Sequence, residues 1–387
     1  MKSSLDASAP LSLQISENNL QLQEARVAVV EACEQLKALM MGPRELLAVN
    51  WTANTSLRAI LHYKLDKTFP VGEESSFEAL AEASGLSYHD TRRLIRHGIL
   101  NHYLFQEPSP GVITHSALTK ALAEDDLLRN AVENAVEEFV PVSCKLVDAM
   151  EKWPGSEENN ETAFSLANDG KSSMWDTFQT YPERANDFGR AMSHSSDYDS
   201  ELLLSNFSWP GEGVVVDVGG SHGSVAVDIA RRFPKIRCIV QDLPEVVRQG
   251  AARLPDDLKK RVQFMAHDFF TPQPVNADMY YFRWILHNWS DKYCIHILKN
   301  LVPALKPGAS IIIHERVLPT DFGKIPILDA RNIINMDVGM QMLLNARQRE
   351  LDEWRELFVR ADSRFSFRRA HQPPRGRLWI MEVVWQG

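Results

Sequence analysis

The stretch Val214-Val215-Val216-Asp217-Val218-Gly219-Gly220-Ser221-His222-Gly223 decides how this chain folds. Four valines around one aspartate read as a strand buried on both faces, the kind a parallel sheet is built from. The glycines that follow let the backbone turn sharply and come close to a ligand before a helix opens at about Ser224. A dinucleotide-type turn would carry G-x-G-x-x-G at this place. The spacing here is Asp217-x-Gly219-Gly220-x-x-Gly223, which does not fit that pattern.

Working outward toward the C-terminus, strands are expected at 214–218, 237–241, 262–266, 279–283 and 310–315. Helical stretches lie between the first four and at 291–305. A helix around 349–360 precedes two further strands near 365–370 and 378–385. This alternation predicts an α/β fold over residues 210–387, an open parallel sheet that is doubly wound and Rossmann-like.

Toward the N-terminus the texture is helical. Residues 1–18 read as a flexible leader. Val27, Val30, Cys33, Leu36 and Leu39 recur at helical spacing over 20–41, until Gly42-Pro43 interrupts them, and a second helix is expected over 51–63. Ser76 caps a short helix ended by Gly85, and Ser87 caps another ended by Gly98. Strand-like Ile99 to Phe105, the turn Pro108-Ser109-Pro110-Gly111 and Val112 to Thr114 complete a helix-turn-helix with a β wing. The winged-helix-like region spans 19–125, and 126–209 is a mainly helical linker.

The chain has 387 residues, 44% hydrophobic and 24% charged, enough for two domains and no case for extended disorder. Its net charge of −9 argues against a dedicated nucleic-acid binder. Arg92, Arg93 and Arg96 on the second helix of the winged segment are the one feature a DNA-binding regulator would use. Cys33, Cys144, Cys238 and Cys294 show no metal or disulfide spacing and suit reduced thiols. With no apolar run long enough to span a bilayer and no signal-type start, a cytoplasmic protein without membrane partner is expected. No metal-binding cluster is visible.

In a sheet of this type ligands sit beyond the carboxyl ends of the strands, where strand order reverses. The first strand ends in the glycine turn. The second ends in Gln241-Asp242-Leu243-Pro244, an acceptor-only acid suited to ribose hydroxyls. The third ends in His267-Asp268-Phe269-Phe270, an acid for an adenine amino group followed by aromatic surface. The fourth ends in Arg283-Trp284-Ile285-Leu286-His287-Asn288-Trp289 and the fifth in His314-Glu315. Each has a plainer alternative: Asp242 as a helix cap, Asp268 as a turn residue, His287 as a structural histidine, Arg283 as the partner of a carboxylate. Their coincidence on five strand ends favours a ligand site.

These pieces, with Trp284 to Asp291 and Leu305-Lys306-Pro307-Gly308, resemble the catalytic domain of plant caffeic-acid-type and fungal sterigmatocystin-type small-molecule O-methyltransferases. Trp175 to Met192 resembles the family's substrate-pocket helices, and the winged segment its dimerisation domain. The resemblance implies S-adenosyl-L-methionine as cofactor, a homodimer formed through the N-terminal region, and methylation of an aromatic or polyketide-type hydroxyl. It puts Gly219 and Gly220 at the methionine end of the cofactor, Asp242 at the ribose, and Asp268, Phe269 and Trp289 at the adenine. Arg283 stands where the family usually has lysine. His287 falls on the catalytic base, Glu315 on one orienting carboxylate and Gln348 on the position of a second. Phe178, Phe188, Met192, Met336 and Met340 fall in pocket-lining segments. Three departures stand out: Ser221 for glycine, Asn288 for aspartate, and Gln348 for glutamate, with Glu350 nearby as a substitute. Some fungal relatives keep fold and cofactor yet catalyse pericyclic or dehydration steps, so the alternative stays open.

Overall fold

The computed structural model describes residues 6–8, 20–193, 197–374 and 376–387. Most of the leader 1–18 therefore lies outside the described residues. The chain divides into two compact units. One comprises Met1–Ser143, Phe178–His194 and Pro326–Leu328; the other comprises Cys144–Thr177, Ser195–Ile325 and Asp329–Gly387.

The second unit is built on a seven-stranded sheet: Gly213–Val218, Ile236–Asp242, Val262–Ala266, Met279–Arg283, Ser310–Glu315, Phe365–His371 and Trp379–Trp385. Counting these as first to seventh, their spatial order is 6-7-5-4-1-2-3. The first five run parallel, with Val218 opposite both Gln241 and Phe282. The expectation of an all-parallel sheet is corrected at its C-terminal end. There the seventh strand is antiparallel to both the fifth and the sixth. A short connection between the last two strands explains this, since a parallel pair needs a long crossover. Order reverses between the first and fourth strands, so the ligand crevice of such a sheet opens at Val218 and Arg283.

Helices Ser224–Arg232, Pro244–Arg253, Asp291–Leu301 and Leu351–Ala361 pack on the sheet. One core layer joins Val216, Phe282, Ile313 and Met381 to Trp354 and Phe358; the other joins Val215, Tyr281 and Ile312 to Val225 and Ile229. Alternate residues of the same strands feed opposite layers, as the pleat requires. The helix expected between the third and fourth strands is absent. Pro272 and Pro274 remove amide donors from that connection, and the chain crosses it as a loop. Gln273 pins it: its amide exchanges two 2.8 Å hydrogen bonds with the buried amide of Gln241, and its backbone N–H reaches Asn300 O.

In the first unit Ser76 and Ser87 accept the N–H groups of Ala79 and Asp90, as capping residues do. Gly85 ends its helix in the left-handed region. The next helix, Tyr88–His102, runs through Gly98 rather than stopping there, and the strand expected from Ile99 is displaced to Gln106–Ser109. A Cβ on Gly98 would stand 2.8 Å from Ile60 Cδ1, so this glycine lets helix Thr55–His62 pack closely. Arg96 is held bidentately by Glu107, at 2.8 and 2.7 Å, and Arg93 by Asp90. Gly42 breaks the helical backbone of Leu20–Leu46 as expected, at φ 71°.

Candidate active site

The crevice at the switch point has two flanks. On one, the first strand delivers Gly219 at φ +68°, where a Cβ would lie 2.4 Å from Ile285 Cδ1 and 3.9 Å from Phe269. Only glycine fits such a conformation and approach. Gly220 is equally tight, since a Cβ there would press on the Asp217 carboxylate at 2.6 Å. Ser221 occupies the left-handed region at φ 52°, which normally favours glycine. Asp242 holds this turn: one carboxylate oxygen accepts the Ser221 N–H at 2.9 Å and the other the Leu243 N–H at 2.8 Å. Lone pairs remain on both oxygens for a ligand.

Asp217 is fully buried, and its Oδ2 has no hydrogen-bond partner among the described residues. Burial pushes its carboxyl up to about 7, against the nearby Arg283 guanidinium. Arg283 itself donates to Ser200 Oγ at 3.2 Å. An orphaned buried acceptor beside a glycine cradle and a half-buried aspartate fits the amino, ammonium and hydroxyl donors of a nucleoside–amino acid cofactor. Phe269, Phe270 and Trp289 form an edge-to-face aromatic group, with Phe269 6.0 Å and Phe270 4.7 Å from the Trp289 ring. Asp268 is exposed, and its Oδ1 closes the turn onto Phe270 N at 2.9 Å.

On the other flank stands His287, in a short 3-10 turn Leu286–Asn288. The turn is gripped through its backbone. Glu315 Oε1 accepts the N–H groups of Ile285 and Leu286 at 2.8 and 3.0 Å. Arg349, wholly buried, donates to the carbonyls of Leu286 and Trp289 at 3.2 and 2.9 Å and pairs with Asp291 at 2.9 Å. Asn288 donates its side-chain amide to Trp284 O at 2.9 Å, a bond that an ionised aspartate has no proton to make. It closes the loop over Trp284, which sits at φ 55° with its ring 4.8 Å from His287.

The expectation that Glu315 orients the imidazole as a carboxylate is corrected. Its hydrogen bonds go to the backbone of the turn instead, and burial pushes it up to about 8. The imidazole's own partner is Gln348: the amide nitrogen lies 3.0 Å from His287 Nδ1. Gln348 is buried, its backbone N–H given to Asp337 at 2.7 Å. Glu350 does not take the glutamate's place; it caps helix Leu351–Ala361 in a capping box with Glu353. Burial, then the charges of Arg349 and Arg316, push His287 down to about 3, against a hydrogen bond at the Trp284 backbone. It is therefore neutral at physiological pH.

His314, by contrast, points into the opposite layer and meets Tyr281 Oη at 2.8 Å. Of the expected pocket residues, Phe178 and Phe188 lie in the first unit with ring centroids 5.2 Å apart, and Met192 there is half exposed. Met336 and Met340 belong to the second unit, on helix Ile327–Leu344, with Met340 buried and Met336 partly so. Sequence reasoning misses Arg349, Arg316 and Trp284 as site residues. Two arginines flank Gln348 in sequence, and nothing in spacing tells which one turns inward. Among the described residues no cluster of His, Cys, Asp or Glu could hold a metal ion, and no helix is long and apolar enough to cross a membrane.

Residues 150–364 match the O-methyltransferase domain family. O-methyltransferase AMT9 of Alternaria alternata is 38% identical over 94% of this chain and 87% of its own length. The grayanic acid biosynthesis cluster O-methyltransferase of Cladonia grayi is 39% identical over 95% of this chain and 79% of its own length. Among solved structures, LepI in complex with SAM superposes with TM-score 0.74, at 24% identity, over 95% of this chain and 96% of that one; at that identity the likeness concerns the fold. Sheet order, glycine cradle and sequence relationship agree, and the chain belongs to the S-adenosylmethionine-dependent O-methyltransferase family.

Proposed function

We propose that this enzyme methylates a phenolic or enolic hydroxyl of an aromatic or polyketide-type secondary metabolite, with His287 as general base. The observation that carries this reading is the His287 turn, held through its backbone beside the glycine cradle. The cofactor supplies a methyl group on a positively charged sulfur. Gly219 and Gly220 would face its methionine end, Asp242 its ribose, and Asp268, Phe269 and Trp289 its adenine, with Arg283 near the buried Asp217. Holding an oxygen close to and in line with the methyl carbon can supply roughly 7–11 kcal/mol of the barrier. General-base assistance is worth about 10²–10⁴ in rate. Within the second unit, Met336 and Met340 would give an apolar, adaptable lining for a planar acceptor.

The His287→Gln variant should lose methylation of ordinary phenols by about 10²–10⁴-fold while cofactor affinity by calorimetry stays the same. Undiminished turnover would remove His287 from the reaction. A pericyclic or dehydration step is the second reading, favoured by the neutral Gln348 against the imidazole. Methyl-labelled cofactor separates them, since a rearranged product without label belongs to the second. The first unit exposes Leu39, Met40, Leu47, Val49 and Trp51, the last at 88%, which supports a homodimer through this region. Light scattering on Trp51→Glu should then report a smaller particle than the parent chain. The bidentate Arg96–Glu107 pair speaks against a DNA-reading helix.

A further inference from the structure

The surroundings of His287 restrict which hydroxyl this site can use. A base that receives a proton needs negative charge nearby to hold the imidazolium. Here the ring nitrogen Nδ1 faces a neutral amide at 3.0 Å. The acid that grips the same turn, Glu315, is buried, and its Oε1 is engaged by the N–H groups of Ile285 and Leu286. Asp337 accepts from the backbone of Gln348, and Asp291 is matched by Arg347, Arg349 and Arg360. The charges that act on the ring are positive: Arg349 behind the turn, and Arg316, whose guanidinium lies 5.9 Å from the Trp284 ring that packs on the imidazole. Both oppose an imidazolium, and both favour an oxyanion at the same place.

We propose that the acceptor of this enzyme is an acidic hydroxyl, one conjugated to a carbonyl or carrying electron-withdrawing substituents, which enters the site largely as its anion. The inference rests on the methyl-transfer reading above and narrows the work of His287 to the fraction of acceptor that arrives un-ionised. The proton is lost to solvent before binding. The oxyanion then forms a bond to the methyl carbon as the carbon–sulfur bond breaks, and the electron pair of that bond neutralises the sulfur. The imidazole neither gains nor loses a proton in this step. Gln348 is a positioning residue, because its amide can turn to support either neutral tautomer but brings no charge.

The test measures kcat/KM across a series of phenols, from unsubstituted to dichlorinated and nitrated, between pH 6 and pH 9. For the acidic members the rate should rise about tenfold per pH unit below their own pKa, tracking the ionised fraction, and level off above it, whereas the unsubstituted phenols, which arrive un-ionised and use His287, should give a flat profile. At neutral pH the acidic members should exceed them by about 100-fold or more. Acidic members that show no advantage at neutral pH, or a rate that is flat below their own pKa, would overturn the proposal, since that is the behaviour of acceptors deprotonated by a histidine base already neutral. Ring 15N spectra of histidine-labelled enzyme, with His287 assigned by its loss in His287→Gln, give a readout without turnover. The His287 ring should stay neutral from pH 5 to pH 9, and should titrate at least one pH unit higher in Gln348→Glu, whose rate on unsubstituted phenols should rise. Titration of the parent ring between pH 5 and pH 8 would overturn the inference. If labelled methyl reaches no hydroxyl at all, the acidic ones included, it is the methyl-transfer reading that fails.

Discussion

The two flanks of the switch point are built on opposite principles. Beyond the first and second strands, polar groups keep bonding capacity in hand. Asp217 Oδ2 has no partner among the described residues, and both oxygens of Asp242 retain lone pairs after meeting one backbone N–H each. Beyond the fourth and fifth strands, Glu315 and Arg349 are directed inward at the protein's own turn. The first flank is shaped to be completed by a ligand, the second to keep one ring in place. Burial alone does not separate them: His314 is as buried as His287 and is likewise pushed down to about 3, yet it serves Tyr281 in the core. What distinguishes His287 from His314 is the turn that carries it.

The sharpest way to break this contrast is Arg349→Met. It removes a buried guanidinium from two carbonyls and from Asp291, and losing one side of such a pair costs about 3–5 kcal/mol. A fall of several degrees in thermal midpoint together with loss of turnover is expected; an unchanged melt would mean that the turn is not held this way. Asp242→Ala acts on the other flank and should leave the melt closer to the parent value. With two charge-assisted bonds removed from the glycine turn, and with them the contact proposed for the ribose, affinity measured by calorimetry should drop about 100-fold, with Asp242→Asn between the two. Affinity kept within threefold would sink the assignment. The smallest effect is expected for Ser221→Gly. Relief of a left-handed serine, about 1–2 kcal/mol, is largely offset by the chain entropy of glycine, about 0.5–1 kcal/mol. Urea unfolding should show a gain below about 1 kcal/mol, and a clear loss would reveal a role for the Ser221 hydroxyl, which lies 3.3 Å from His222 Nδ1.

These contrasts are unevenly legible in the sequence. The sheet can be read closely, because Val214 to Val216 and Ile311 to Ile313 are β-branched runs that suit a doubly buried strand. Ser76, Ser87 and Gly85 announce their helix ends through local hydrogen bonding and backbone conformation. Gly98 misleads, since a glycine chosen for helix–helix approach has the same letter as one that ends a helix. The loop over 267–278 is over-read as helical although Pro272 and Pro274 forbid it; its order comes from the Gln241–Gln273 exchange, a contact across sequence. At the site, residue types are readable but their directions are not. Glu315 and Gln348 are both expected at the imidazole, and three-dimensional placement alone assigns the amide to the ring and the carboxylate to the backbone.

Because the turn Leu286–Asn288 is fastened by main-chain groups on both sides, its location does not depend on which side chain stands at its centre. Any residue installed at 287 would inherit the same address above the crevice. Such a scaffold separates where chemistry happens from what performs it, so a lineage could exchange the occupant and acquire a different reaction without having to refold the neighbourhood.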